Sequence, residues 1–318
     1  MQAAPAGAVA APTMPEPYFT RLYRCIRANK SLYLMILPVL LYYFLFCYKP
    51  MYGAVIAFKN FMPGRGIANS PWVGLQNFTD FFTSIYCFRV IKNTLVISLV
   101  SIIFGFPAPI ILALLLNEIQ NNAFKKTVQT ITYMPHFISL VVVCGMILEF
   151  TSNTGFITYF LHYFGFPLTN MMNHANYFVP VYVISDIWQG IGWGSIIYLA
   201  ALTGIDPSLY EAAEIDGAGR WKQMLNVTLP GIMSTVVIML ILRMGGIMSV
   251  GYEKIILLYN PATYSTADVI SSFTYRKGLQ DFDWSYSTAV GLFNSAINFV
   301  FLVLTNWMSK KFTDSSLW

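Results

Sequence analysis

Charged residues are scarce in this chain, 10% of 318 residues against 56% hydrophobic ones, and its mean hydropathy is +0.58. That balance excludes an ordinary soluble globular domain and places the chain among integral membrane proteins. Cysteine is equally sparse. Cys25, Cys47, Cys87 and Cys144 stand singly, without CxxC spacing and two of them inside apolar runs, so they are expected to be small packing residues rather than redox or metal groups. His136, His162 and His174 form no HExxH or His-x-His arrangement, and no metal site is expected. Alternating apolar segments of about ten residues are absent, which excludes an outer-membrane barrel and leaves a helical bundle as the spanning solution. Met1–Pro17 is rich in Ala and Pro, lacks a basic residue ahead of an apolar core, and no small-residue cleavage site follows the first apolar run. It is expected to be a disordered tail ahead of a retained helix, not a signal peptide. No repeat of 20–50 residues is visible.

What the chain does have is long apolar runs, near 31–48, 93–117, 128–150, 178–203, 231–250 and 286–307. A hydrocarbon core of roughly 30 Å needs about 20 such residues per helix, so the fold is expected to be all-α, a polytopic bundle of six transmembrane helices. Arg21, Arg24, Arg27 and Lys30 precede the first run, Lys125 and Lys126 sit between the second and third, and Lys310 and Lys311 follow the last. By the positive-inside rule these flanks, and both termini, face the cytoplasm. The layout is then a cytoplasmic tail at 1–30, a first span at 31–48, an extracytoplasmic segment at 49–92, a five-helix core at 93–307 and a cytoplasmic tail at 308–318. Within 49–92, Pro63-Gly64-Arg65-Gly66 and Pro71-Trp72-Val73-Gly74 join turn chemistry to interfacial aromatics, which predicts a segment folded against the bundle. Pro38, Pro107 and Pro109 are expected to bend or break the first two helices.

One polar loop interrupts the apolar core on the cytoplasmic side, at 206–230. Asp206 is placed to cap a helix with Pro207 at its first position, so Ser208–Ile215 is predicted helical and Gly217 ends it. Asp216 is expected to cap a second short helix reaching Met224, and Pro230 to open the fifth span. Ala212 and Ala213 leave little bulk, so another surface can approach the backbone, while Glu211 and Glu214 offer charge to a basic partner. A headgroup-bound amphipathic helix is the bland alternative, but such helices are usually basic. Four carboxylates against Arg220 and Lys222 are repelled by anionic lipid.

Glu211-Ala212-Ala213, then Asp216-Gly217-Ala218, then Leu229-Pro230 resembles the signature of the permease subunits of binding-protein-dependent ABC importers, sugar branch, departing from it at Val227 where Ile is usual. The resemblance covers the chain from the first span to the C-terminus. Ser70-Pro-Trp-Val-Gly-Leu-Gln-Asn-Phe78 and Tyr259-Asn-Pro-Ala-Thr-Tyr264 are similar to the branch that imports complex oligosaccharides from plant or algal polysaccharides. It implies a fold like that of type I ABC importer permeases in the bacterial inner membrane. It implies as partners a second homologous permease, two cytoplasmic ATPase subunits, an extracytoplasmic solute-binding protein, an oligosaccharide and the lipid bilayer, with no nucleic acid. In such a family the Glu-Ala-Ala helix is the coupling helix seated in the ATPase, so Tyr210, Glu211, Ala212, Ala213, Glu214, Asp216, Gly217, Ala218 and Arg220 are the expected coupling residues. No G-x-x-x-x-G-K-[ST] loop occurs, so the chain is not itself an enzyme and ATP and Mg belong to the partner ATPases, with no cofactor in this chain.

Ionisable residues inside spans are costly, which singles out Glu149, Asp186 and Arg243. Asp186 and Arg243 are expected deepest and within reach of one another, either as a packing ion pair or as solute ligands. Asp186-Ile-Trp188-Gln189-Gly190 offers a ring, an amide and an approachable backbone, as sugar sites do. It is similar to the sugar-permease pattern Asn-x-Trp-x-Gly that lines the solute cleft, with Asp186 in place of Asn. Gly246 and Ser249 on the fifth span, with Trp193, Asn294 and Asn298, complete the expected pathway. Arg243 points to a carboxylate-bearing sugar, a uronate such as an alginate or pectin fragment. Two rival readings lack their expected signals: an ion-coupled secondary carrier using Asp186 and Glu149, for which the internal symmetry is missing, and a membrane-embedded transferase, for which the acid/base cluster is missing.

Overall fold

The structure, a computed structural model, describes residues 27–313 and 316–318. Met1–Pro17, Arg21, Arg24 and Cys25, on which several expectations rest, lie outside the described residues. Two units are distinguished, Met1–Ala54 and Val55–Trp318. Helix α1 runs Lys30–Phe58; it carries Pro38 without a break and widens to a π-helix at Tyr43–Tyr48.

The second unit holds the other helices: α2 (Gln76–Thr83), α3 (Cys87–Glu118), α4 (Asn122–Phe137), α5 (Leu140–Phe150), α6 (Ala175–Leu202), α7 (Pro207–Ile215), α8 (Arg220–Gly231), α9 (Met233–Met244), α10 (Tyr252–Leu258), α11 (Ile270–Tyr275) and α12 (Trp284–Thr313). Among the described residues there is no strand, only an isolated bridge between Lys59 and Trp72. That bridge, Phe58 stacked on Trp72 at 5.7 Å, and the Phe61 N–H donating to Ser285 Oγ fold the segment after α1 onto the bundle.

By length and apolarity, α1, α3 and α12 can each cross a membrane, and the count reaches five if the bent pairs α4–α5 and α8–α9 are single spans. Length and apolarity thus give three to five of the six spans expected from the apolar runs. The run at 128–150 is broken by a 99° bend between α4 and α5. Pro135 removes a backbone donor there, and Ser139 Oγ accepts from the Val142 N–H to start a new helix. The fifth run bends by 59° at Ile232, not at Pro230, and its helix ends at Met244. Helix α6 has 28 residues, enough to cross, but Asp186, Gln189 and three glycines dilute its apolar character. In α3 the prolines cause no break: a π-turn at Ser101–Gly105 lies just ahead of Pro107, and the helix continues.

Three apolar clusters hold this unit. One gathers Phe81, Val90, Met248, Ile270, Phe273 and Val290; the second Ile97, Val143, Phe178, Tyr182, Ile255 and Leu258; the third Ile110, Leu114, Tyr198, Leu202, Met224 and Ile232. Helix α3 threads all of them, and its serines Ser98 and Ser101 fall between the residues it gives to the second and third. Close packing of α6 on α4 needs Gly192, where a Cβ would stand 2.1 Å from the Thr132 carbonyl oxygen.

Candidate translocation cleft and coupling hairpin

The end of α9 opens the cleft. From Gly245 to Gly251 the chain leaves the helix, and its backbone groups find partners on three neighbouring elements. Ser98 Oγ donates to the Ile247 carbonyl, Asn298 Oδ1 accepts from the Met248 N–H at 2.8 Å, and Ser271 Oγ donates to the Val250 carbonyl at 2.6 Å. Irregular backbone between apolar helices is tolerated where protein buries it or a cavity lies beside it. Both conditions hold.

A cavity of about 230 Å³ lies against this break, lined by Tyr182, Asp186, Gln189, Arg243, Ser249 and Lys254 among others. A second, about 290 Å³, continues along α6 past Gly190 and Tyr198, and Ser101, Asp186 and Arg243 border both. Asp186 and Arg243 therefore share one cleft, as the sequence suggested, but they are not each other's partner. Asp186 Oδ1 pairs with Lys254 Nζ at 3.3 Å, and the buried Lys254 also donates to the Tyr182 carbonyl at 3.3 Å and lies 4.8 Å from the Tyr182 ring. Arg243 is exposed to the cleft and has no ion-pair partner among the described residues.

The other expected pathway residues divide. Gln189, Gly246 and Ser249 line the first cavity and Gly190 the second. Trp188 and Trp193 line neither; Trp193 stacks on His136 at 4.5 Å, on the side of α6 that meets the α4–α5 bend. Asn294 also lines neither, and its Oδ1 is buried without a hydrogen-bond partner among the described residues. Asn298 braces the break, donating to Ser249 Oγ at 2.8 Å. Glu149 is exposed at the end of α5 and borders neither cavity.

Sequence reasoning missed Lys254; its signal was a lone Lys heading the apolar run Ile255–Leu258. It also missed a buried ionic knot beyond the cleft. The fully buried Asp268 accepts a bidentate pair from Arg276, 2.8 Å at each oxygen, and a third contact from Arg89 at 3.0 Å. Ser272 Oγ adds a bond at 2.9 Å. Arg276 also reaches the Tyr259 hydroxyl at 3.3 Å, which gives the Tyr259–Tyr264 motif a structural task.

The polar loop is a hairpin of two helices. Asp206 caps α7 by accepting from the Ser208 N–H at 2.9 Å, and this bond holds its carboxyl below the ordinary carboxylate value. At the other end Gly217 takes φ +73°, with Ala218 N–H donating to the Ala213 carbonyl at 2.9 Å and Gly217 N–H to Glu214 at 3.0 Å. These two bonds are a Schellman stop. Asp216 is the residue at which α7 ends, and the cap of α8 is Gly219, so the second helix starts later than expected. Tyr210 Oη meets Thr228 Oγ1 at 3.0 Å and Gln223 Nε2 donates to the Ala218 carbonyl at 2.9 Å, which ties the two arms together. Glu211, Ala212, Glu214, Asp216 and Arg220 are exposed, the acidic ones without ion-pair partners among the described residues, and Ile215 is 87% exposed beside them. The turn thus presents mixed charge and bare apolar surface side by side.

The chain is similar to known proteins in sequence and in fold. Residues 105–314 match the family described as binding-protein-dependent transport system inner membrane component. The chain is 44% identical over 291 residues to the polygalacturonan/rhamnogalacturonan transport system permease protein YteP of Bacillus subtilis (strain 168), covering 91% of each chain. It is 41% identical to Protein LplB of the same organism, covering 92% of each. Its fold matches a chain in the crystal structure of a bacterial alginate ABC transporter in complex with an alginate pentasaccharide-bound periplasmic protein. The TM-score is 0.86 at 42% identity, over 93% of this chain and 100% of that one. This chain belongs to the binding-protein-dependent transport system inner membrane component family: it is a multi-pass inner-membrane permease subunit of an ABC importer, a class whose ATPase site is carried by partner proteins.

Proposed function

We propose that the chain forms one half of the pathway of an importer for acidic oligosaccharides, with uronate units bound at Arg243. The observation that carries this reading is that Arg243 faces the cleft with no carboxylate of its own chain in ion-pair reach among the described residues. A guanidinium placed so offers a planar fork that fits a carboxylate bidentately. Gln189, Ser249 and the backbone of Gly246 and Gly190 supply the neutral hydrogen-bonding groups a sugar needs. Support also comes from the relatives, whose names specify polygalacturonan and the acidic polysaccharide alginate.

In this reading a second permease completes the pathway, an extracytoplasmic binding protein delivers the sugar, and two ATPase subunits carrying ATP and Mg grip the α7 hairpin from the cytoplasm. Both termini then lie in the cytoplasm. The coupling residues are Tyr210 to Glu214, Asp216 to Ala218 and Arg220, and the substrate-facing ones Asp186, Gln189, Gly190, Arg243, Gly246 and Ser249. The test is uptake and stimulated ATP hydrolysis by the reconstituted importer over matched acidic and neutral oligosaccharides, with binding protein present. Arg243→Gln is expected to raise the half-saturating concentration of the acidic sugar at least about tenfold, the worth of one hydrogen bond to a charged group at roughly 1.5–3 kcal/mol. Equal handling of acidic and neutral sugars by the unmodified importer overturns the proposal.

A further inference from the structure

Resting on the acidic-sugar reading, we infer that Lys254 is a second carboxylate-binding cation of the cleft, and that Asp186 is its exchangeable partner, occupying Lys254 while the cleft is empty and yielding it to a uronate.

The asymmetry of the pair argues for exchange. The Lys254 side chain is 5% exposed and that of Asp186 49% exposed, so one partner is fixed and the other faces the open cleft. Lys254 is held in place independently of Asp186, by the Tyr182 carbonyl and by the face of the Tyr182 ring. A buried ammonium left without a carboxylate is strongly unfavourable. Something anionic must therefore stay beside it, and among the described residues Asp186 is the carboxylate in ion-pair reach. The contact is a single oxygen at 3.3 Å, longer than a good charged hydrogen bond. An incoming carboxylate replaces Asp186 in kind, and Asp186, already half-exposed, turns to the cleft and keeps its hydration. A neutral hydroxyl cannot make that replacement.

Charge counting supports the same view. Asp186 and Glu253 face Arg243 and Lys254 in the first cavity, two charges of each sign. A uronate at Lys254 displaces Asp186 from its cation, and Arg243, without a carboxylate in ion-pair reach among the described residues, offsets the charge that the sugar adds. When the cleft opens to the cytoplasm, Asp186 reclaims Lys254 and competes the sugar off. The residue that admits the uronate also releases it.

The experiment uses the assembled importer in proteoliposomes, with binding protein, and follows uptake of an oligogalacturonate trisaccharide. Lys254→Met is expected to raise the half-saturating concentration about tenfold. Asp186→Asn, which keeps the shape and removes the competitor, is expected to lower it about tenfold and to slow the maximal rate. A pair that only fastens α10 to α6 predicts instead that both single changes act in the same direction and lower thermal stability together, with the Asp186→Asn/Lys254→Met double change restoring both. That outcome, or no change from either variant, overturns the inference; Lys254→Arg, which keeps the charge, guards against loss by misfolding. If the unmodified importer takes up the trisaccharide and Arg243→Gln weakens it while the two single variants move together, this inference fails and the acidic-sugar reading stands. If the unmodified importer does not take up the trisaccharide, both fall.

Discussion

Replacing Gly217 isolates the turn of the cytoplasmic hairpin from everything around it. Its φ of +73° is left-handed, yet a Cβ built there meets nothing within 4 Å. The whole cost of a side chain is therefore conformational, about 1–2 kcal/mol for an ordinary L-residue in this region, and more for a β-branched one. An energy of that size shifts the ratio of closed to open turn roughly 5–30-fold. An opened turn forfeits the Ala218–Ala213 and Gly217–Glu214 bonds, and the exposed face of α7 loses its fixed orientation toward a partner. Gly217→Val is expected to insert and assemble, but to yield fewer sugars imported per ATP hydrolysed in proteoliposomes and to retain less ATPase subunit on purification. Gly217→Asn, which tolerates the left-handed region, is expected to recover most of the ratio. Gly219, two residues on at φ −68°, provides the control: Gly219→Ala has space and ordinary backbone and is expected to behave as unmodified protein. A Val variant with unmodified transport stoichiometry and full ATPase retention refutes the reasoning.

Other changes test the rest of the frame. Asp268→Ala strands Arg89 and Arg276 around a buried site and is expected to cost about 3–5 kcal/mol, read as a lower melting temperature and a lower yield of assembled complex. Gly192→Ala drives a methyl into the Thr132 carbonyl at 2.1 Å, so α6 must move off α4; the expected loss is at least about 1–3 kcal/mol, seen in the same melting measurement. Asp206 has its carboxyl held below the ordinary value by the Ser208 N–H. Its contribution to the hairpin is therefore fully present above the ordinary carboxylate range and is lost as pH falls through the depressed value. Proteolysis of the hairpin followed against pH is expected to show that loss, and Asp206→Asn, which keeps an acceptor, to remove the pH dependence.

The hairpin was the most legible part of the chain because its signals are local. Asp206, Pro207 and Gly217 each act on their own turn, and all three sit where the sequence places them. The error at Asp216 was local as well: a residue that closes one helix cannot also cap the next, and Gly219 took that place. Span architecture was less legible, since apolar composition measures burial in lipid and not straightness. The run at 128–150 hides Pro135 and Ser139, and the run at 231–250 hides a helix end at Met244. The pairing of Asp186 was not legible, because its partner is 68 residues away and outside the apolar runs. Asp268 was hidden for the same reason, 179 residues from Arg89. An ion-coupled carrier, which drew on Asp186 and Glu149, finds no support in the family to which the chain belongs.

The two helices that flank the hairpin each carry one of the cleft's charges, Asp186 on α6 and Arg243 on α9, and are expected to link docking to solute. Helix α6 ends at Leu202, four residues before Asp206, and Asp186 lies sixteen residues back along it, roughly 24 Å at 1.5 Å per residue. On the other side α8 leads from the hairpin to the bend at Ile232, and the 12 residues of α9, about 18 Å, end with Arg243 in the last turn. Regular helices of this length transmit displacement with little compression, so a shift of the hairpin reaches Asp186 and Arg243 along separate levers. Those levers differ: α6 is unbroken and locked to α4 at Gly192, whereas α8–α9 is bent by 59° and ends in a glycine-flanked break. Motion is therefore expected to fall mainly on Arg243, with Asp186 as the fixed side. Spin labels at Ser185 and Leu242, beside the two charges, are expected to change separation when the assembled importer binds nucleotide, and labels at Ser185 and Thr132 are expected to hold theirs. A fixed Ser185–Leu242 distance through the nucleotide cycle removes the lever from the account.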